Sequence, residues 1–490
     1  MKRYIPLSLV IFFSIIPLFA QSTVDFDKYF IDATMRIDYY HIGNAKEELA
    51  TLDIVYKQGI WAGSTTNLLD TLGNGYYYAK IYDYATNQMI FSKGFDSYFG
   101  EYKTTASAIK GVRRTYHETL LIPFPKNKIQ FTLEMRDKEN VLHQFFSQII
   151  DPKDIYISQK PLEPGLKVFE LAKNGNPHEK VDIAIVAEGY TAPEEQKFRN
   201  DADRLVKLFF NFEPYKSRKN KFNFYAVFKP SGNSGLDEPS YGSFKNTVVN
   251  ASFDSLGSER YLLTEDNKNL RNIAAHVPYD ALIIVVNSKR YGGGGIYNFY
   301  STVTADNQWT DYVFLHEFGH AFAGLADEYY TSSVAYNEFF TQGIEPVEPN
   351  ITALLDPNNL KWKNLMTPGI EIPTPWEKES FEKMDLEYQK IRQEINEKIA
   401  RMKRDKAPEA DVAKLQDESE KLSYEHAQKV DNFLKNSKYA RKVGALEGAG
   451  YAAKGLYRSM VDCLMFTKGT KPFCTACEQA VIRVIDHYAP

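Results

Sequence analysis

A chain of 490 residues is too long for one compact core, so two or three domains are expected. With 43% hydrophobic and 25% charged residues its usage is that of a globular protein, and 33 Tyr and 32 Phe suffice for aromatic-rich β structure or binding surfaces. A formal net charge of -4 leaves no excess of Lys and Arg to displace counterions from phosphates, which argues against a nucleic-acid partner.

The N-terminus, MKRYIPLSLVIFFSIIPLFAQS, sets Lys2 and Arg3 before an apolar run from Ile5 to Phe19, then Ala20 and a polar stretch. This is the pattern of a secretory signal peptide over residues 1–20, with the mature chain starting at Gln21. Leu18 fits poorly to the small residue usual two places before the last one, and an uncleaved N-terminal anchor is the alternative. No later stretch is apolar for long enough to span a bilayer. The expectation is an exported protein, periplasmic or extracellular, with no membrane span after cleavage.

From about Asp25 to Ile150, short alternating or aromatic runs are separated by Gly, Pro, Asn and Asp: "GYYYAKIYDY", "QMIFSKGF", "HETLLIPFP", "IQFTLEMRD" and "LHQFFSQII". Residues 21–150 therefore read as a β-sandwich, and Pro152, Pro161 and Pro164 mark a linker over 151–178. From residue 179 the periodicity changes. "VDIAIVAEGY", "FNFYAVF" and "ALIIVVN" read as buried strands, and residues 192–213 as a helix with Phe198, Leu205, Leu208 and Phe209 at helical spacing. Strands alternating with helices predict a three-layered α/β/α domain, and the whole chain is α+β in class. Residues 376–440 carry two stripes, Ile391, Ile395, Ile399 and Met402, then Val412, Leu415, Leu422, Val430 and Leu434, flanking a break at "DKAPEA". They predict an inserted antiparallel helical hairpin whose charges form a solvated face.

The chemistry concentrates in "LHEFGHAFAGLADEYY", residues 315–330. On a helix, positions i and i+4 share a face, so His316 and His320 can bind one metal ion through neutral imidazoles. Glu317 sits beside the ion without filling its sphere, where it can accept a proton from a water acidified towards ~7 and pass it to a leaving amine. With nine histidines in the chain, roughly 0.01 chance matches to His-Glu-x-x-His are expected. A purely structural helix would account for Phe314, Leu315, Phe318, Ala321 and Phe322, but not for the "GLADE" just beyond them. Gly324 can adopt the left-handed conformation that stops a helix and turns the chain back, bringing Asp327 into reach as third ligand, with Glu328 the competing candidate. The glycine-rich "YGGGGIYNFY" lacks the Lys-Ser/Thr of a phosphate loop. A glycine-rich edge strand there would let a substrate backbone approach and pair.

The motif resembles the metzincins, in which a two-histidine helix ends at a glycine three residues before the third ligand. Here the glycine comes one residue later and the third ligand would be an aspartate rather than a histidine. More widely, "VDIAIVAEGYTAPEEQKF", "FNFYAVFKPSGNSGLDEP", "YDALIIVVNSKRYGGGG", "LHEFGHAFAGLADEYY", "GALEGAGYAAKGLYRSMVDCLMF" and "FCTACEQA" occur in the order expected of the bacterial IgA-peptidase family of secreted zinc metallopeptidases. The resemblance runs over about residues 180–480, and the N-terminal strands look like the β-domain of many members. It implies a metzincin-like zinc endopeptidase with one catalytic Zn2+ acting on a protein or peptide substrate, host glycoproteins among the candidates. It further implies a supporting methionine turn at Met465, with Met366 as runner-up, and oxyanion or substrate contacts from Tyr451, Tyr457 or Arg458.

All three cysteines, Cys463, Cys474 and Cys477, fall near the C-terminus. They allow one disulfide with a free thiol, a structural metal held together with His487, or a buried reduced cluster. The rival to catalysis is a non-catalytic surface protein that binds glycans or proteins and keeps the zinc helix as scaffold. Glu317 argues against it, since a scaffold has no use for a proton carrier.

Overall fold

The computed structural model describes residues 24–331 and 340–490; the expected signal peptide, residues 1–20, lies outside the described residues. The N-terminal unit holds strands β1 (Phe30–Gly43), β2 (Glu48–Lys57), β3 (Tyr77–Asp83), β4 (Met89–Phe95), β5 (Arg114–Pro125), β6 (Ile129–Arg136) and β7 (Leu142–Ile150). Short helices α1 (Phe26–Tyr29), α2 (Tyr98–Lys103) and α3 (Ala106–Ile109) accompany them. The strands form two antiparallel sheets, β2-β1-β5 and β4-β3-β6-β7. Alternation puts Ile37, Tyr39 and Ile122 of one sheet against Ala79, Ile81, Phe131 and Leu133 of the other, which makes the unit a β-sandwich.

Beside this core sits a buried ionic cluster with a predictable pH signature. His41 Nδ1 lies 2.9 Å from Glu118 Oε2 and its Nε2 lies 2.8 Å from Glu48 Oε1. Burial opposes charge on the imidazole, but the Glu118 and Glu48 carboxylates prevail and raise its pKa from 6.5 to about 9. Burial likewise opposes ionisation of Glu48, yet His41 and Lys103 lower it from 4.5 to about 2. The histidine's contribution to stability is therefore complete below pH 6.5 and lost as pH rises through about 9; that of Glu48 is complete above pH 4.5 and lost as pH falls towards 2. Thermal unfolding followed against pH should show an alkaline decline over that upper window, and His41→Gln should flatten it. An unchanged alkaline limb in the variant would remove His41 from the account.

The second unit contains β8 (Lys167–Ala172), β9 (Val181–Glu188), α4 (Glu195–Phe209), β10 (Phe222–Phe228), α5 (Asn267–Ala274), β11 (Ala281–Val286), β12 (Gly293–Ile296), β13 (Tyr300–Thr304) and α6 (Thr310–Ala323). Its sheet runs β12-β13-β11-β9-β10-β8, parallel through the centre and antiparallel at both edges. The unbroken apolar runs of β9, β10 and β11 follow from cover on both faces. Ile183, Ile185, Phe224 and Val285 face α4 and α6, whereas Ala184, Val186, Tyr225 and Ile284 face the other way. That second face is covered by α5 and by Tyr98, Phe99 and Tyr102 of α2, so the sandwich supplies part of the third layer.

Two sequence expectations need correction here. Residues 151–178 are not all linker, because β8 pairs with β10, with Phe169 opposite Ala226. As an edge strand it is only half-buried, so "KVFELA" carries a weak apolar signal. The helix expected over 192–213 is shorter: a capping box of Thr191 and Glu194 opens a 3-10 turn, and α4 ends at Phe209.

The C-terminal part adds β14 (Ile351–Thr352), α7 (Lys378–Arg404), α8 (Glu409–Lys435), β15 (Leu446–Ala449), β16 (Ala452–Arg458) and α9 (Thr475–Tyr488). Helices α7 and α8 are the expected hairpin, and Ile399, Val412, Val430 and Leu434 of its stripes are buried, although Ile391 is exposed. The hairpin leans on the second unit: Arg392 and Asn396 reach Glu259, and Gln308 donates to Glu420 O. The two units are joined directly, with Asn74 Nδ2 donating to Ala323 O at the end of α6 and Asn298 Nδ2 to Gly94 O. Among the described residues no helix is long and apolar enough to cross a membrane.

Candidate metal centre

Helix α6 is apolar nearly all round because it is buried nearly all round, between the sheet, α4 and α9. Phe314, Leu315, Phe318 and Phe322 are each at most 2% exposed, and each such burial contributes about 1.5–3 kcal/mol. Gly324 ends the helix in the left-handed region (φ 61, ψ 32), and its N–H donates to His320 O. The chain then runs extended. Gly450 N–H donates to Asp327 O and Tyr451 N–H to Tyr329 O, so Asp327 and Tyr329 face the cleft while Glu328 faces away.

This brings three ligand atoms together. His316 Nε2 and His320 Nε2 lie 3.1 Å apart, and Asp327 Oδ1 lies 3.0 and 3.2 Å from them. Each histidine's Nδ1 is taken by a backbone carbonyl, Leu464 O at 3.1 Å and Leu325 O at 2.5 Å, which directs the Nε2 lone pairs inward. Asp327 Oδ2 accepts from Tyr451 Oη, whereas the buried Oδ1 faces the two histidine nitrogens and makes no well-aligned hydrogen bond. Two imidazole lone pairs and a carboxylate oxygen converging on one point repel one another unless a cation sits between them. The N, N, O donor set on one side of a cleft, with its other side open, fits a three-ligand metal site.

The family profile described as IgA Peptidase M64 matches residues 169–485, and that described as Peptidase M64 N-terminus matches residues 25–147. The chain belongs to the M64 peptidase family. No curated protein matches it. As a peptidase it acts on protein or peptide, and His316, His320 and Asp327 line a cleft of this M64 chain together with Glu317.

Glu317 lines that cleft. Burial raises its pKa above the ordinary glutamate value, opposed by His316 and His320. Arg260, Tyr291, Tyr312 and Tyr329 also line the cleft; Arg260 Nη2 donates to Tyr329 Oη at 3.2 Å. Burial holds the Tyr312 and Tyr329 hydroxyls well above the usual phenol pKa, so they remain donors. None of these four is evident from motif spacing, although Tyr329, two residues past Asp327 on an extended segment, could have been inferred to share its side. Asp96 and Glu101 of the sandwich line the same cleft.

Strand β12 is glycine-rich because α6 lies flat on it. A Cβ on Gly295 would meet Glu317 O at 2.4 Å, and one on Gly293 would meet Glu317 Cγ at 2.9 Å. As an edge strand it is partly covered: Gly293 N–H donates to Arg260 O, and Gly293 O accepts from Leu262 N–H. Gly295, on the same side two residues on, lines the cleft.

Met465 is fully buried beneath α6, its Sδ 3.2 Å from where a Cβ on Gly319 would stand, and its carbonyl accepts from Glu328 N–H. Of the expected substrate contacts, Tyr451 reaches the centre through Asp327. Tyr457 and Arg458 do not line the cleft. Tyr457 sits in β16 opposite Glu447, and Arg458 is buried on Trp376 and Phe466 with its Nη1 donating to Gly448 O. His487 requires a correction too. It lies near the end of α9, where its carbonyl accepts from Asn67, whereas Cys463, Cys474 and Cys477 gather with Glu328. His487 lies ten positions after Cys477 on the same helix, a rise of about 15 Å that no imidazole bridges.

Proposed function

We propose that this M64 peptidase is an exported zinc endopeptidase with a metzincin-like catalytic unit, in which His316, His320 and Asp327 hold the ion and Glu317 carries the proton. The observation that carries this reading is the convergence of two Nε2 atoms and one carboxylate oxygen within 3.0–3.2 Å, with Glu317 in the same cleft. Zinc bound there would acidify a water to about pKa 7 and polarise the scissile carbonyl. Glu317 accepts the proton of the attacking water and delivers it to the leaving amine as the C–N bond breaks.

Arg260 and the phenols of Tyr291, Tyr312 and Tyr329 are the donors available to the carbonyl oxygen as negative charge develops on it. A substrate strand would continue past the point where Arg260–Leu262 already pairs with β12, using the backbone of Gly295. Met465 and Leu464 form the floor: the first packs under Gly319, and the second orients His316. Export rests on the charged and apolar pattern of residues 1–20.

Purified mature chain should contain zinc and cleave a peptide library. Chelator should abolish cleavage, and added zinc should restore it. Metal-free chain that cleaves peptides at the full rate would overturn the reading.

A further inference from the structure

Cys463, Cys474 and Cys477 are at most 2% exposed and none is in a disulfide. Cys463 Sγ and Cys477 Sγ lie 3.8 Å apart, and Glu328 Oε1 lies 3.4 Å from Cys474 Sγ and 3.2 Å from Cys477 Sγ. A tetrahedral zinc with Zn–S of about 2.3 Å has S···S edges of about 3.8 Å and S···O edges of about 3.5 Å. Three of the six edges are therefore close to those of a tetrahedral ligand set, and all four ligand atoms lie within 4.8 Å of one another. A disulfide, at about 2.05 Å, would need sulfurs far closer.

Two of the three sulfurs have the donors a thiolate accepts from. Cys463 Sγ accepts from Cys474 N–H at 3.1 Å and Met465 N–H at 3.4 Å; Cys474 Sγ accepts from Cys477 N–H at 3.4 Å and Ser459 Oγ–H at 3.1 Å. Cys474 is the N-cap of α9, so the Cys-x-x-Cys pair is presented by the first turn of a helix. An independent sign comes from Glu328. It is wholly buried; its Oε1, which also accepts from Asn350 Nδ2 at 3.3 Å, is the oxygen that faces the sulfurs, and its Oε2 has no hydrogen-bond partner. Arg458, also wholly buried, places a positive charge near Glu328 and Cys463 that offsets part of the negative charge of such a ligand set.

We propose that Cys463, Cys474, Cys477 and Glu328 form a second metal site, structural in role, which takes a thiophilic divalent cation of the zinc type. Four protein ligands leave no open position, as structural sites require, and binding releases the thiol protons to solvent. The site ties together the pieces that shape the cleft. Glu328 follows Asp327, Cys463 precedes Leu464 and Met465, and Cys474 and Cys477 open α9.

The test compares the mature full-length chain with H316A/H320A and C474S/C477S variants by elemental mass spectrometry and by cobalt(II) substitution. Wild type is expected to hold about two metal ions per chain and each double variant about one. The cobalt form of H316A/H320A should keep intense near-ultraviolet thiolate-to-metal bands. Thiol titration of the denatured, unreduced and chelated protein should find three thiols. If C474S/C477S does not fold, the wild-type and H316A/H320A measurements decide alone. One metal ion in wild type and none in H316A/H320A would overturn the site, as would a single titratable thiol or three thiols without the cobalt bands. Loss of cleavage with both ions present would sink the catalytic reading and leave this one standing.

Discussion

Replacing Glu317 by glutamine is expected to lower kcat/KM for peptide cleavage by about 10²–10⁴-fold while zinc at the histidine site stays at its wild-type level. The exchange preserves the Cγ that lies against Gly293 and the helical backbone that lies against Gly295, so neither α6 nor the ligand positions should move. What is lost is the carboxylate's ability to take and return a proton. The pH profile adds a second readout. Glu317 must be ionised to accept a proton, so wild-type kcat/KM should fall as pH decreases through the Glu317 pKa of the zinc-loaded enzyme. That limb should be absent from the residual activity of E317Q. Undiminished cleavage by E317Q with full zinc would remove Glu317 from the reaction.

The parts of this centre that were legible in the sequence are those governed by local geometry. His316 and His320 are four apart on a helix, and Gly324 takes the one conformation that ends it, so helix, stop and return could be read before any contact was known. The choice between Asp327 and Glu328 was not local. In an extended segment adjacent side chains oppose each other, and which one faces the histidines is fixed by Gly450, Tyr451 and Met465, more than 120 residues away, which pair with its backbone. The same distance hid Glu328 from the cysteines, and nearness in sequence wrongly nominated His487. Arg458 shows the converse error. It stands near Met465 in the chain, but strand alternation turns it into the Trp376–Phe466 packing. At the scale of whole elements, strongly apolar β9, β10 and β11 and the amphipathic hairpin stood out, whereas half-buried β8 did not.

Asp327→Ala should weaken zinc binding at the histidine site by more than the roughly 10–100-fold typical of losing an outer partner, with cleavage falling in parallel and partly recovering in excess zinc. The comparison that gives this force is Tyr451→Phe. Tyr451 touches the other oxygen of the same carboxylate, so its loss should fall within that range of about 10–100-fold and leave the three ligand atoms in place. A graded series, wild type tightest, Y451F intermediate and D327A weakest, measured by competition with a chelator of known affinity, is the pattern of a ligand and its orienting partner. Equal zinc affinity in D327A and wild type would show that Asp327 only balances charge beside the histidines. Since Glu328 points to the cysteines 3.2 and 3.4 Å away, it cannot substitute for the missing ligand without turning the whole 325–330 segment over. That reversal would break the pairing of Glu328 N–H with Met465 O and of Tyr451 N–H with Tyr329 O, so the vacancy in D327A should go unfilled by the protein.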